Sequence, residues 1–306
     1  MSEETRKRPD ISVVIAFYNR LDLLDRCLQS VLSQELPDGK SFEVIAVDNG
    51  STDGTRERLA EYGDSIRLLD CATRGPSAAR NTGIRAAQGD VVVFTDSDAV
   101  PEPNWLRNLT EPFGDSQTIG TGGRIEALVW ERGVEMWFQM AGMLNQRKCF
   151  EGILCFPPYF ATANTAWRRE TLQAVGGFNE DIWWSEDCDL GWRIREKGGS
   201  IVYVDAAVIR HAHRNTIIGF MRQSMGYGEA AVRVFAAHRD KMGARYFIAW
   251  DSYAKFLFLP FRCLLTLIFA HNSFQRRAPF YEWLWRAANI YGNLRGSLRY
   301  RVLFIA

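Results

Sequence analysis

Val91-Val92-Val93-Phe94-Thr95-Asp96-Ser97-Asp98 joins a run of β-branched and aromatic residues to two carboxylates one residue apart. The run reads as a buried strand. Aspartate is a poor strand residue, so two of them at the strand's carboxyl end point to chemistry. In open α/β sheets, ligands bind outside the carboxyl ends of the strands. Carboxylate together with phosphate oxygen is also a usual way to hold Mg2+. The same Asp-Ser-Asp-Ala suits an acidic turn, so the rest of the chain has to decide.

Strand and helix signals alternate around this stretch. Strands are predicted at 11–17, 42–47, 65–69 and 91–95, with helices near 21–33, 53–62 and 76–88 between them. Such βαβ repetition predicts an α/β fold with a mostly parallel sheet covered on both faces. Leu21, Leu24, Leu28 and Leu32 recur at helical spacing and give the first helix a core face. Pro76 suits a first helical turn, and Gly89 suits a left-handed stop after the helix. Residues 118–126 read as a further strand, and so do residues 200–209.

Five further segments carry chemistry in a fixed order. Val13-Val14-Ile15-Ala16-Phe17-Tyr18-Asn19 is a strand that opens into a loop. Val44 to Thr55 is a strand followed by the acidic, small-residue turn Asp48-Asn49-Gly50-Ser51-Thr52-Asp53-Gly54. Gly75-Pro76-Ser77-Ala78-Ala79-Arg80-Asn81-Thr82-Gly83 begins a helix. Gly176-Gly177-Phe178-Asn179-Glu180 and Ser185-Glu186-Asp187-Cys188-Asp189-Leu190 follow downstream. Taken with Asp96-Ser97-Asp98, this set resembles the family-2 glycosyltransferases over roughly residues 10 to 213.

The resemblance implies the GT-A fold, a Rossmann-like, mostly parallel sheet with flanking helices. It also implies transfer of a sugar from a nucleoside-diphosphate sugar to an acceptor hydroxyl, with inversion and with Mn2+ or Mg2+. It places Asp48 on the nucleobase, and Ala16, Tyr18 and Asn19 in the nucleoside-binding loop. Asp98 takes the metal, Asp96 takes the ribose or a metal-bound water, and a late histidine completes the site. Asp187 becomes the base that deprotonates the acceptor. The irregular segment 129–160, rich in Trp, Phe and Met, becomes the acceptor-facing insertion.

The residues themselves leave alternatives beside these roles. Asp48 equally suits a turn aspartate before the helix at 53–62, although Asp53 or Ser51 serves for that capping too. Tyr18 equally suits the core. Arg74 and Arg80 flank a helix start, where they reach a diphosphate or remain surface arginines. His211 and His213 share one face if the strand at 200–209 continues, and a neutral imidazole suits Mn2+ better than Mg2+. Arg210 and Arg214 beside them also suit a phosphate patch. Of Glu186, Asp187 and Asp189, at least one merely complements the helix dipole. Burial beside Trp183 and Trp184 would raise the Asp187 pKa toward useful basicity, and both tryptophans offer faces for an acceptor sugar, with Glu186 alongside.

Composition bounds the surroundings. The 306 residues suit one large domain or a domain with an appendage. Met1 to Asp10 is charged, so no secretory signal is read there. Six cysteines without a Cys-x-x-Cys pair fit reduced thiols in a cytosol. The net charge of +1 divides unevenly: Arg214–Ala306 carries 14 Lys+Arg against 4 Asp+Glu, leaving 23 against 32 for residues 1–213. The same C-terminal third holds 19 of the 39 aromatic residues.

We therefore expect a catalytic domain over 1–213 and a helical, basic and aromatic extension over 214–306. Ala254 to Ala270 is strongly apolar but is interrupted by Lys255 and Arg262, and Pro260 is expected to break its helix. The longest uncharged run, Cys263 to Gln275, is 13 residues, short of a spanning helix. Tyr281, Trp283, Trp285, Arg276, Arg277 and Arg286 fit an interfacial helix on an anionic membrane, on its cytoplasmic face. Packing against the catalytic domain, a dimer contact or a true span are the other readings. A carbohydrate or lipid-linked acceptor is expected, in polysaccharide or glycolipid synthesis, and no nucleic acid. The rival activities are a sugar nucleotidyltransferase and a non-catalytic nucleotide-sugar-binding scaffold. The former wants a Gly-rich basic loop after the first strand, and Ala16-Phe17-Tyr18-Asn19-Arg20 is not one.

Overall fold

The computed structural model describes residues 8–37, 39–129, 133–270 and 272–306. Most of the charged N-terminal stretch and residues 130–132 of the irregular segment lie outside the described residues. The chain divides into two compact units. One comprises Met1–Leu128, Leu144–Gly152 and Pro157–Ala212, the other Val129–Met143, Ile153–Phe156 and His213–Ala306. The irregular segment is thus shared between them.

In the first unit, β1 (Ile11–Phe17), α1 (Leu24–Leu32), β2 (Phe42–Asp48), α2 (Thr55–Ala60), β3 (Arg67–Asp70), α3 (Pro76–Ala86) and β4 (Val91–Asp96) alternate as the hydrophobic pattern predicts. Then come β5 (Ala99–Pro101), α4 (Trp105–Thr110) and β6 (Thr118–Ala127). After α5 (Gly133–Met140) of the second unit, the first continues with α6 (Gln146–Glu151), β7 (Asn164–Arg168), α7 (Arg169–Ala174), α8 (Glu186–Arg195) and β8 (Ser200–His211). Among the described residues the sheet has eight strands in the order β3-β2-β1-β4-β7-β6-β8-β5. The four at the β3 end run parallel, as does the β6–β8 pair. β7 is antiparallel to β4 and β6, and β5 is antiparallel to β8.

The inner parallel strands β1, β2 and β4 are largely buried on both faces, which is why they read as continuous apolar runs, while β3 at the sheet edge is not. Val13, Ile15 and Phe17 pack with Leu24, Leu28 and Val31 of α1. Val14, Val47, Val92 and Phe94 pack with Ala78, Ala79 and Ile84 of α3. Two local expectations need correction. Leu21 is exposed, because α1 begins only at Leu24. Gly89 does not adopt the left-handed conformation. The helix ends at Ala86 with Ala87 extended, and Gly89 is needed for close approach, since a Cβ there would lie 2.5 Å from the Ile11 carbonyl carbon.

The second unit contains α5, α9 (Ile217–Met242), β9 (Tyr246–Ile248), α10 (Trp250–Phe269), α11 (Ser273–Tyr300) and β10 (Leu303–Ile305), with β10 parallel to β9. Phe235, Phe247 and Phe304 cluster in its core. Helices α9 and α11 approach to backbone contact through glycines: a Cβ on Gly292 would lie 2.3 Å from the Met225 carbonyl oxygen. α10 runs through Pro260 instead of breaking there. Proline removes one ladder bond and kinks a helix, and the Leu-rich turns on either side carry the helix across it.

Candidate active site at the carboxyl edge of the sheet

Strand register brings the polar strand ends to one edge. Phe17 pairs with Asp48, Ala16 with Asp96, and Asp48 with Asp70. The loops that follow are knitted together. Asn19, in the left-handed region at φ 51°, accepts from the Thr52 N–H at 2.8 Å and donates its own N–H to Ser51 Oγ at 3.0 Å. Asn49 accepts from Gly75 N–H at 2.8 Å and donates to the Cys71 and Thr73 carbonyls. Its amide therefore fixes the entry into α3. Asp48 is buried and accepts from the Gly50 and Ser51 N–H groups, so it shapes this turn. Capping at α2 falls to Asp53, which accepts from the Thr55 N–H and hydroxyl.

Tyr18 is half exposed, not core. The Arg74 guanidinium lies 4.4 Å from its ring centroid and donates to its hydroxyl at 3.0 Å. Arg74 and Tyr18 together form a flat cationic platform beside the turn. Trp183, 57% exposed, stands 3.6 Å from the Cβ position of Gly75, where α3 begins. Trp184 is exposed as well.

Asp96, Asp98 and His211 converge, their ligand atoms lying within 4.8 Å of one another. His211 Nε2 is 3.2 Å from Asp98 Oδ1 and 3.4 Å from Asp96 Oδ2. Neighbouring ligands at about 2.1 Å from an octahedral cation stand about 3 Å apart, so the trio fits one divalent ion with little movement. Two carboxylates and one imidazole make a ligand set that could hold a divalent ion. Burial pushes the His211 pKa down, but Asp98 and Asp96 outweigh it and raise it to about 10. His213 lies past the end of β8, belongs to the second unit and stands against Phe138 and Gln139. The strand does not continue far enough for the two histidines to share a face.

Arg80 is buried, so it is no open diphosphate clamp. It donates to Asp96 at 2.9 Å and to Glu186 of α8. Burial works against its charge, but Glu186 and Asp96 outweigh it and hold the guanidinium more firmly protonated than usual. Glu186 can reach it because α3 anchors the loop before α8. Asn81 exchanges hydrogen bonds with Phe178, and Ser77 donates to the Ile182 carbonyl. The Gly-Gly-Phe-Asn-Glu segment thus works as a clasp. Ser185, at the α8 start, is left-handed at φ 58°, a conformation costly for a residue with a side chain.

Asp187 follows Glu186. Burial, then the neighbouring Glu186 charge, raises its pKa to about 7. The expected cause needs correction, because Trp183 and Trp184 turn outward. Burial raises the pKa values of Cys149, Tyr159 and Cys188, and all three lie near enough to the carboxylate for its charge to raise them further. Asp189 is the ordinary acid of the three. It pairs with Arg193, which ties α8 to the Val175 and Gly177 carbonyls.

Sequence reasoning missed three neighbours. Arg20 donates to Asp98 Oδ2 at 2.8 Å, and Tyr159 and Cys149 flank Asp187. Arg20 was legible in part, since it directly follows the loop residue Asn19. The other two come from the irregular segment and carry no local signal. Among the described residues, the edge holds a cluster that could bind a metal ion, a cation–aromatic pair and a carboxylate whose pKa is raised to about 7.

Comparison with known proteins bears on the family and the fold. A family model described as Glycosyl transferase family 2 matches residues 12–175. A pre-mycofactocin glycosyltransferase of Mycobacterium tuberculosis is 30% identical over 237 residues, covering 76% of this chain and 49% of that protein. A glycosyltransferase of Haloferax volcanii, AglE, is 28% identical over 221 residues, covering 69% of each. The chain spans about half the length of the mycobacterial relative. Among solved structures, the mannosyltransferase PcManGT from Pyrobaculum calidifontis, in complex with GDP-Man and Mn2+, superposes with a TM-score of 0.62 at 22% identity. That match covers 95% of this chain and 88% of that one. S. aureus TarS 1-349, in complex with UDP, gives 0.52 at 17% identity, covering 95% and 91%. The fold is the expected GT-A architecture.

Proposed function

The chain belongs to glycosyl transferase family 2, and from that membership and the geometry of its sheet edge we propose an inverting, metal-dependent glycosyltransferase. The donor is a nucleoside-diphosphate sugar and the acceptor a carbohydrate or lipid-linked hydroxyl, in polysaccharide or glycolipid synthesis. The observation that carries the proposal is the joining of two carboxylate centres by one arginine. Arg80 ties Asp96, in the metal-ligand trio, to Glu186, next to the proton-accepting Asp187. A sugar transferase needs these two functions side by side.

Asp98, His211 and Asp96 would hold Mn2+ or Mg2+, which supplies Lewis-acid stabilisation of the departing diphosphate. Asp48, with the Ala16, Tyr18 and Asn19 loop, receives the nucleoside, and Arg74 offers its positive charge to the diphosphate. Asp187 accepts the acceptor hydroxyl proton as the oxygen attacks the anomeric carbon from the face opposite the diphosphate. A base with a pKa near neutrality is both deprotonated and basic enough to do so. Trp183 and Trp184 present faces for the acceptor ring, whereas Glu186, expected beside them, is buried on Arg80 and holds the site from within. Peripheral attachment to the cytoplasmic face of a membrane completes the proposal.

The donor is found by thermal shift of the full chain against a panel of nucleotide sugars with Mn2+. The expected result is stabilisation by one nucleotide class, abolished by EDTA. Stabilisation by nucleoside triphosphate and sugar phosphate, with pyrophosphate release, would instead mark a nucleotidyltransferase.

A further inference from the structure

α10 is the least covered large element among the described residues. It is 20 residues long with a mean hydropathy of 1.5 in its most apolar window, of which only 6% is buried. At 1.5 Å per residue it is about 30 Å long. At 100° per residue, the exposed side chains of Leu257, Phe258, Phe261, Leu264, Leu267 and Ile268 spread over about 180° of the helix. Leu259, its one fully buried side chain, points about opposite the middle of that arc. Lys255 and Arg262 sit together at one border of the arc, and exposed Arg276 and Arg277 follow one turn into α11.

The width of the arc decides what covers it. A helix docked on a protein partner buries a stripe of about 100°, and the Leu259 side of α10 already supplies the stripe this chain uses. An apolar arc nearly twice that wide wants a surrounding solvent, and the solvent that accepts Leu, Ile and Phe together is lipid. The basic residues at its border and end complement anionic headgroups. Arg262 argues against a span, because it is the thirteenth of twenty residues and would sit near the bilayer centre. In the interfacial plane it lies at the border of the arc instead, where its ion pair with Glu282 is 3.4 Å.

We propose that α10 alone docks the chain on an anionic lipid bilayer, lying in the interfacial plane with its apolar arc among the acyl chains. This narrows the peripheral attachment proposed above to one helix and one orientation. It does not depend on the sugar chemistry. Arg276 and Arg277 meet lipid phosphates, and α9 and α11 stay out of the hydrocarbon.

The test is co-sedimentation of the purified full chain with vesicles of phosphatidylcholine, and of two parts phosphatidylcholine to one part phosphatidylglycerol, across a salt series. Wild type should bind both and prefer the anionic vesicles, the preference fading with salt. The variant Phe258→Ser/Leu264→Ser/Ile268→Ser should lose binding to both by at least ~tenfold with an unchanged thermal melt, since all three side chains are exposed. Arg276→Gln/Arg277→Gln should weaken the anionic preference, leaving what Lys255 and Arg262 supply, and should not change binding to phosphatidylcholine. Failure of wild type to bind either vesicle would overturn the proposal, as would undiminished binding by the triple serine variant. A concentration-dependent dimer abolished by the serine substitutions, without vesicle binding, would assign the arc to a second copy and overturn it too. Retention in membranes through an alkaline carbonate wash would overturn the in-plane placement. Nucleotide-sugar stabilisation, measured on the same preparations, reports separately on the catalytic reading.

Discussion

Glu186→Gln should move the acid limb of the pH–rate profile, because Glu186 helps to set the basicity of its neighbour. Asp187 stands at about 7 through burial first and the Glu186 charge second. At an effective dielectric of ~20, two unit charges about 7 Å apart interact by ~2.4 kcal/mol. Arg80 already offsets part of the Glu186 charge, so roughly half remains, or about one pKa unit. Removing it lowers the Asp187 pKa toward 6. A general base works deprotonated, so activity is present above its pKa and lost as pH falls through it. At pH 6 the wild type should keep about a tenth of its plateau kcat/KM and the variant about half of its own plateau. The plateau itself should drop, because Arg80 loses one of two partners and Asp96 loses part of its restraint. The assay is kcat/KM for transfer or donor hydrolysis from about pH 5 to 9. An acid limb that stays at 7 or moves upward would refute the coupling of the two carboxylates.

Asp187→Asn should reduce transfer by roughly 10²–10⁴-fold while nucleotide binding survives. The same variant should be more stable than wild type at pH 8 by up to a few kcal/mol. A carboxylate raised from 3.8 to about 7 in the folded state contributes stability when protonated and loses it as pH rises through that window. Equal thermal midpoints at pH 8 would contradict this. Mn2+ binding should release close to one proton at pH 7, because His211 is raised to about 10 before the ion arrives. Titration calorimetry in buffers of different ionisation enthalpy measures it, and no proton release would remove His211 from the ligand set. Gly292→Ala should cost about 1–3 kcal/mol, read as a lower thermal midpoint, since its Cβ meets the Met225 carbonyl oxygen at 2.3 Å.

β1, β2 and β4 were legible because they are largely buried on both faces and separated by helices with their own period. β7 was not. It is five residues long and pairs antiparallel with strands far away in sequence, so nothing local marks it. Asp96, Asp98 and His211 were legible as types at strand ends, but their convergence depends on β8 and β5 folding back across the sheet. Arg80 shows where pattern reading stops. A basic residue at a helix start suits a phosphate equally well as a buried structural pair, and only the anchoring of the α8 approach by Asn81 and Ser77 decides it. The environment of Asp187 failed for a related reason: tryptophans adjacent in sequence face outward from a loop, while Tyr159 arrives from the irregular segment.

Metal-dependent transfer of a sugar from a nucleotide is proposed for the Asp96–Asp98–His211 edge. The most direct measurement is release of labelled sugar from nucleotide sugars incubated with the full chain, with Mn2+ or with EDTA, for wild type and Asp98→Ala. Slow Mn2+-dependent release is expected from one donor, absent with EDTA and absent in Asp98→Ala, which also loses Mn2+-dependent nucleotide affinity. Tight nucleotide-sugar binding without release under any metal, or affinity unchanged by EDTA and by Asp98→Ala, would contradict it.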